Sequence, residues 1–202
     1  MRNPDTETYA LGPEIIALGG RALRSNSLRS ISKEELRALA EKTGETTTIE
    51  VLIGKDVLIL EEAVGAHLIS GVPSVGTRWP AFATSTGKAI FAYLPDALVD
   101  TLIKPPLPQI TPKTITSPEV LRRELQRIRE KGYSVADEEL ELGFVAIGAP
   151  IWNHDGEVAG AISLGGPAIR LTSSRLADVS RLVISAARRI SSRLGYRKEL
   201  KI

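Results

Sequence analysis

Two apolar runs joined by the tetrapeptide Asn153-His154-Asp155-Gly156 constrain the fold of this chain more than any other feature. Asn and Asp-Gly are typical of the tight turns that connect antiparallel strands. The runs, about Phe144–Trp152 and Glu157–Leu164, are therefore predicted to form a β-hairpin. A third strand is predicted just before them, at about Tyr133–Glu138, and strands that follow one another through short turns pair in an antiparallel sheet.

An earlier hairpin is predicted from the β-branched segment Thr46–Ile53, which returns through Gly54-Lys55-Asp56 into Val57–Leu60. The following stretch, Gly65 to Ala83, contains several glycines and prolines and is expected to be irregular.

Helical patterns surround these strands. The pattern Ser32-Lys33-Glu34-Glu35 is typical of a capping box and predicts that a helix begins after Ser32 and ends at Gly44. Apolar spacing predicts further helices after Pro13, over Thr84–Tyr93, up to about Ile103, after the cap Ser117, and over Ser173–Leu194. Helices grouped around hairpin-linked strands predict an α+β fold with a curved antiparallel sheet.

Composition narrows the classes of function. The 202 residues include 26 Lys and Arg, 24 Asp and Glu, and no Cys, which excludes disulfides, a thiol nucleophile and cysteine-bound metal. No segment has the apolar length of a signal core or a membrane span, so a soluble, cytoplasmic domain is expected. Residues 170–202 carry nine Lys and Arg against two Asp and Glu. We interpret this excess as the solvated face of the last helix, with nucleic-acid binding as the alternative.

Sequence motifs of common enzymes are incomplete. Thr86-Gly87-Lys88 lacks the upstream glycine and the following Ser or Thr of a phosphate-binding loop. Gly160–Gly165 is one residue out of step with a nucleophile elbow. The two histidines, His67 and His154, lie in predicted loops, and no spacing typical of metal ligands occurs. No metal and no cofactor are therefore expected.

Two polar segments are candidates for ligand binding. Asp137, Glu139 and Glu141 alternate along a predicted strand end, so they are expected to share one face. The favoured interpretation of each is a solvated strand end, and a site for a cation or a polar ligand is the alternative. Ser85 and Thr86 begin a predicted helix, where unpaired N–H groups and the helix dipole favour an anion. An ordinary helix cap is the alternative there.

Several segments form one pattern that spans nearly the whole chain. They are Tyr9-Ala10-Leu11-Gly12-Pro13, Leu39–Thr46, Thr86–Ile90, Gly132–Gly143, Ala149-Pro150-Ile151, Gly160–Pro167 and Arg170-Leu171-Thr172. In this order and spacing they resemble the C-terminal effector-binding domain of the isocitrate-lyase-regulator (IclR) family of bacterial transcription regulators. The resemblance implies a curved antiparallel sheet flanked by helices, akin to GAF domains, and a regulator rather than an enzyme.

The resemblance also implies how the chain is divided. In this family an N-terminal winged helix-turn-helix binds operator DNA, and the chains form dimers that pair into tetramers. Tyr9–Pro13 resembles the end of the wing, so residues 1–26 are expected to hold the wing end and a linker helix, and residues 27–202 the effector-binding domain. The winged helix-turn-helix is expected to be absent from this chain. The implied partners are a small organic or aromatic acid, operator DNA through the absent domain, and further copies of the chain.

Positions of an effector pocket follow from the same resemblance. The backbone of Ser85 and Thr86 would bind the anionic end of the effector. Asp137 and Glu139 are additional polar candidates. The strand positions that would contact the effector, and then the apolar wall, are Ala136, Ala146, Ser163 and Gly165, followed by Leu68, Gly71, Trp79 and Phe144.

Three of these positions differ from the residues that the family often has. This chain has Ala136 where the family often has Asp, Ala146 where it often has Cys, and Gly165 where it often has Ser. The smaller residues remove polar contacts and are expected to open volume, while Trp79 and Phe144 add flat apolar surface. A bulkier and less polar effector than the smallest keto acids is therefore expected, still with an anionic end.

Two alternatives stay open at this point. Trp79 and Phe144 could simply belong to the core. The chain could also be an enzyme that acts on a small carboxylate through Ser163 and Glu139, although no histidine lies near Ser163 in sequence to activate it.

Overall fold

The computed structural model describes residues 12–67 and 75–197. Within these ranges the strands are β1 (Thr46–Ile53), β2 (Asp56–Ala63), β3 (Arg78–Pro80), β4 (Ser134–Asp137), β5 (Phe144–Trp152) and β6 (Val158–Pro167). The helices are α1 (Glu14–Ser25), α2 (Ser27–Thr43), α3 (Ser85–Phe91), α4 (Asp96–Leu102), α5 (Pro118–Lys131) and α6 (Ser173–Arg193). A 3₁₀ turn, Ala81–Ala83, precedes α3.

All six described strands pair antiparallel in one curled sheet with the order β3-β2-β1-β6-β5-β4. The first hairpin, β1–β2, and the last, β5–β6, meet at the centre of the sheet through β1 and β6. The predicted turn between β5 and β6 is confirmed: the Asn153 side-chain oxygen accepts the backbone N–H groups of Asp155 and Glu157, and Gly156 has a φ of 78°. The predicted α+β class is confirmed as well.

The two faces of the sheet are covered by different helices. Because successive strand residues point to opposite faces, Ile162 of β6 packs with α2 and α6, whereas Ala161 packs with α3 and α5. The first cluster centres on Leu36, Ile49, Ile162 and Val183, all fully buried. The second cluster leaves room between α3 and the sheet, and this room is the cavity described below.

The prediction that a helix begins after Ser32 was wrong. Asn26 is the N-cap of α2, and its side chain accepts a backbone N–H from the first turn at 2.9 Å. Ser32 lies inside the helix, where its buried hydroxyl donates to the Leu28 carbonyl. Glu35, the last residue of the supposed capping box, instead pairs with Arg189 of α6 at 2.7 Å. A Ser followed three residues later by a Glu therefore occurs here inside a helix, because the Glu side chain contacts a second packed helix and does not form a cap.

The region before α3 is more regular than expected. Arg78–Pro80 forms β3 and pairs with β2, inside a stretch predicted to be irregular. The helix predicted over Thr84–Tyr93 spans only Ser85–Phe91, with the Thr84 hydroxyl accepting the Gly87 N–H at 3.1 Å.

The basic residues near the end of the chain are used within the fold. Arg189 and Arg193 of α6 form ion pairs with Glu35 and Glu34 of α2. These pairs favour the interpretation that the basic excess belongs to a helix face. In the described ranges, no helix is both long and apolar enough to cross a membrane.

Candidate functional site

A cavity of about 320 Å³ lies between α3 and the sheet face opposite α2 and α6. Every described strand contributes to it, and α3 with its neighbouring loops closes the other side. The strand residues in its lining are Thr46, Thr48, Glu50, Ile59, Trp79, Ala136, Phe144, Ala146, Ser163 and Gly165. The remaining lining residues are Ala83, Thr84, Ser85, Thr86, Leu140 and Glu141.

Strand register explains why these side chains meet. Ala136, Ala146, Gly165 and Thr46 lie opposite one another across four adjacent strands, so they form one row on the cavity face. Each second residue along a strand faces the same side, which places Ser163 and Thr48 in the neighbouring row. The cavity floor is therefore made of small and hydroxyl-bearing residues.

The start of α3 is held close against β5. A Cβ atom added at Gly148 would lie 2.8 Å from the Ser85 carbonyl carbon, so only glycine allows this approach. The Ser134 hydroxyl donates to the Ser85 carbonyl oxygen at 2.5 Å and fixes the helix start from below. The Thr84 hydroxyl accepts the Gly87 N–H, which leaves the N–H groups of Ser85 and Thr86 without a partner within the helix, and both residues line the cavity.

Eight of the predicted positions come together in this lining, two do not, and two lie outside the described residues. The eight are Ser85, Thr86, Ala136, Ala146, Ser163, Gly165, Trp79 and Phe144. Leu68 and Gly71 lie outside the described residues. Asp137 and Glu139 are absent from the lining, which corrects their expected placement.

The acidic run does not share one face, because β4 ends at Asp137 and Glu138 takes a left-handed φ of 57°. The alternation that the prediction assumed stops there. Asp137 points to solvent, Glu141 lies at the cavity edge, and Glu139 turns inward to Lys88 with 2.5 Å between Oε1 and Nζ.

The alternative enzyme site is not assembled either. Glu139 is held by the buried Lys88, while the neighbour of the Ser163 hydroxyl is the Ser85 hydroxyl at 3.4 Å. Neither contact supplies a base that could activate Ser163.

Gly165 does not open volume in the way its small size suggests. A Cβ atom at this position would lie 2.6 Å from Cζ of Phe144, so the phenyl ring occupies the space that a larger residue would need. The expectation of a larger cavity at Gly165 was therefore wrong. The ring forms part of the apolar wall, as the sequence predicts, and leaves the floor around Ala146 open.

Glu50 is a buried, charged lining residue that is not among the positions predicted from the sequence. Its side chain is only 6% exposed. The Thr48 hydroxyl donates to one carboxyl oxygen at 2.7 Å and the Thr86 hydroxyl to the other at 2.5 Å. Burial raises the pKa of the Glu50 carboxyl, and the two hydroxyl groups offset this only in part. The signal was present in the alternation of β1, where Thr46, Thr48 and Glu50 share one face.

The charged groups of the cavity all have the same sign. Glu50 and Glu141 are its only charged lining residues among those the structure describes, and no Lys, Arg or His accompanies them. The large lining residues Trp79, Phe144, Ile59 and Leu140 are apolar. The site therefore combines a flat apolar wall with an acidic, hydroxyl-rich floor.

Comparison with known proteins decides the family. The family model described as "Bacterial transcriptional regulator IclR C-terminal" matches residues 20–192. The chain belongs to the IclR family. It is 35% identical over 195 residues to the HTH-type transcriptional regulator BhcR of Paracoccus denitrificans, covering 96% of this chain and 70% of that protein. It is 33% identical over 190 residues to the transcriptional repressor IclR of Escherichia coli, covering 93% and 69%.

Solved IclR structures have the same fold. The crystal structure of the Thermotoga maritima IclR superposes with a TM-score of 0.86 at 32% identity, over 97% of this chain and 79% of that chain. The C-terminal domain of E. coli KdgR superposes with a TM-score of 0.76 at 28% identity, over 84% of this chain and 99% of that domain. These relatives are transcriptional regulators, so the chain is the C-terminal domain of a regulator and not an enzyme.

Proposed function

We propose that this IclR domain senses a small organic or aromatic acid and passes the signal to a winged helix-turn-helix that precedes it in the regulator. The observation that carries the proposal is the cavity of about 320 Å³ between α3 and the sheet. Cavities of this size, with an apolar wall and a few convergent polar groups, are typical of small-molecule sites.

The lining supports an effector with a flat or bulky apolar part. Trp79 and Phe144 offer ring faces, and Ala136 and Ala146 leave space beside them. Aromatic and branched ligands gain more from such a surface than two- or three-carbon acids do. The anionic end of the effector would bind near Ser85 and Thr86, which line the same cavity at the start of α3.

Signal transfer requires that the effector bind one arrangement of the regulator more tightly than another. The cavity touches α3 and every described strand, so a ligand there contacts the sheet and α3 at once. Helix α1 exposes Ile15, Ile16 and Leu18, an apolar surface that supports self-association as a homodimer or homotetramer. Operator DNA would be bound by the preceding domain, in the cytoplasm.

A cavity-blocking variant tests the proposal. Ala146→Phe fills the floor of the cavity, and Ala177→Phe places the same ring on an exposed position of α6. Thermal unfolding is followed with a panel of aromatic and short-chain acids. We expect aromatic acids to stabilise the wild type and Ala177→Phe by about 2.7 kcal/mol at 100 times Kd, and not to stabilise Ala146→Phe. Equal stabilisation of all three proteins, or stabilisation only by the shortest acids, would contradict the proposal.

A further inference from the structure

We propose that Glu50 selects the effector by accepting a hydrogen bond from an ammonium or hydroxyl group on it. The inference rests on the proposed function, because it assumes that the cavity is the effector site. It adds a second requirement to the effector: an acid with only an apolar body is incomplete, and a hydrogen-bond donor must accompany the carboxylate.

Hydrogen-bond directions around Glu50 leave only acceptors free. A threonine hydroxyl carries one hydrogen, and Thr48 and Thr86 both donate theirs to the Glu50 carboxyl. What these two hydroxyl groups can offer the cavity is lone pairs. The carboxylate itself has room for about four hydrogen bonds and accepts two from the protein. A ligand atom that reaches the ionised Glu50 carboxylate and these two threonines must therefore donate.

The strands on either side of Glu50 supply no polar partner. Ile59 of β2 lies opposite it on one side and Ala161 of β6 on the other. Both residues are apolar and fully buried. The two free acceptor positions of the carboxylate are thus directed at the cavity or left unmet.

Other buried carboxylates show what is missing at Glu50. Glu35 has Arg189 at 2.7 Å, Glu45 has Arg170 at 2.6 Å, and Glu139 has Lys88 at 2.5 Å. Among the described residues, Glu50 is the buried carboxylate with no cation within ion-pair distance. A buried charge without a partner destabilises a fold. A ligand ammonium would supply that partner. It would also oppose the effect of burial, which raises the pKa of Glu50.

The effector class that fits is an apolar acid with an amino or hydroxyl substituent. The apolar part lies against Trp79 and Phe144, and the donor binds Glu50. Both donors share the chemistry that the floor requires, and they differ in charge. An ammonium group neutralises Glu50, whereas a hydroxyl group needs only its lone pairs.

Matched ligand series measured by calorimetry test the inference. One series is 3-phenylpropionate, 3-phenyllactate and phenylalanine, and a second is 4-methylpentanoate, 2-hydroxy-4-methylpentanoate and leucine. Within each series the members differ only by the donor. Since hydrogen bonds to a buried charged group are strong, we expect the best donor-bearing member to bind at least about tenfold more tightly than the donor-free acid.

Variants assign that preference to Glu50. Glu50→Ala should abolish the difference between donor-bearing and donor-free acids. Glu50→Gln keeps a carbonyl acceptor but removes the charge, so it should lower the affinity for an ammonium-bearing ligand about tenfold or more and change that for a hydroxyl-bearing ligand little. Glu157→Gln, the same change at an exposed position in the β5–β6 turn, should keep the wild-type preference.

The outcomes separate this inference from the proposed function. If donor-free acids bind as tightly as donor-bearing ones, the role of Glu50 is overturned while the cavity remains an effector site. The same conclusion follows if Glu50→Ala keeps the preference. If Ala146→Phe still allows binding, or if neither acid series binds the wild type, both proposals fail. Unfolding curves of each variant confirm that binding is measured on folded protein.

Discussion

Glu45 and Glu50 lie at opposite ends of a short segment, one just before β1 and one within it, and both carboxylates are buried. Glu45 is bound by Arg170 at 2.6 Å and by Arg175 of α6 at 3.1 Å. Burial alone would raise the pKa of Glu45, but the two guanidinium groups outweigh it and hold that pKa below its ordinary value. At Glu50 only hydroxyl groups oppose burial, and the pKa is raised.

This difference distinguishes a carboxylate that serves the fold from one that is available to a ligand. Glu45 connects the start of β1 to α6, and its two oxygens are both matched by protein donors of opposite charge. Glu50 faces a cavity, and none of the described residues places a cation within ion-pair distance of it. Both groups are buried glutamates, so the presence or absence of a cation beside each decides what it can do.

Removing the cation from a third buried carboxylate should have the largest effect. Lys88 is fully buried and donates to Glu139 and to the Val135 carbonyl. Lys88→Met keeps the volume but leaves Glu139 without a cation, so the free energy of unfolding should fall by about 3 kcal/mol. Urea denaturation measures it. Lys113→Met, at an exposed pair with Glu138, serves as the control and should change stability little. Equal effects of the two changes would contradict the conclusion that the buried pair contributes more to stability than the exposed one.

Glu45→Gln is expected to cost less, about 2 kcal/mol at neutral pH, because Arg170 and Arg175 are partly exposed and solvent can reach them. A lowered pKa means that the unfolded chain binds the proton first. The contribution of Glu45 is therefore present above its ordinary pKa of 4.5 and is lost as the pH falls through the lowered value. Unfolding measured from pH 7 to pH 3 should show a shallower acid decline for Glu45→Gln. An unchanged decline would contradict this assignment.

The contact between Phe144 and Gly165 resembles the Glu45 site in one respect: in both, the interacting groups are provided by the protein itself. Gly165→Ala places a Cβ atom where the ring lies, so the ring must move at a cost of about 1–2 kcal/mol. Phe144→Leu combined with Gly165→Ala should recover part of that loss. A double-mutant cycle measures the coupling, and strictly additive changes would show that the two residues do not interact.

Glu50→Gln should have the smallest effect and the opposite sign. Replacing an uncompensated buried carboxylate should raise the free energy of unfolding by about 1 kcal/mol at pH 8. A raised pKa means that the folded chain holds its proton longer. The stabilising contribution of wild-type Glu50 is thus full below pH 4.5 and is lost as the pH rises through the raised value. The advantage of Glu50→Gln should therefore disappear at low pH. Destabilisation by Glu50→Gln at pH 8 would place Glu50 among the structural carboxylates.

Local signals explain what could be predicted of the fold. The Asn153–Gly156 turn and the apolar spacing of α5 and α6 depend on neighbouring residues, and both are confirmed. The cap at Ser32 was mistaken because Glu35 pairs with Arg189, and nothing near Glu35 in sequence indicates that contact. Strand β3 was likewise not predicted, because its pairing with β2 depends on the distant sheet and the Gly- and Pro-rich stretch that contains β3 gives no local sign of it.

Less of the site than of the fold could be predicted from the residues themselves. The helix-start pattern indicated Ser85, and the family resemblance supplied Ala146 and Ser163; all three line the cavity. Glu50 was missed because a charged residue in a strand usually faces solvent. It is buried here because α3, which follows β1 by more than thirty residues, covers that face and brings Thr86 to the carboxylate. The direction of Glu139 depended on one left-handed residue, Glu138.

Strands β1 and β6, which pair at the centre of the sheet, are separated by about a hundred residues of chain. Thr48 comes from one side of this seam and Ser163 from the other, so neither hairpin encloses the cavity alone. During synthesis the first hairpin is complete long before the second has been made, and the cavity exists only after the last strand has docked. A ligand of the cavity therefore stabilises the finished domain and not its partly folded precursors. The cavity can therefore bind a ligand in a newly made chain only after its final strands have paired.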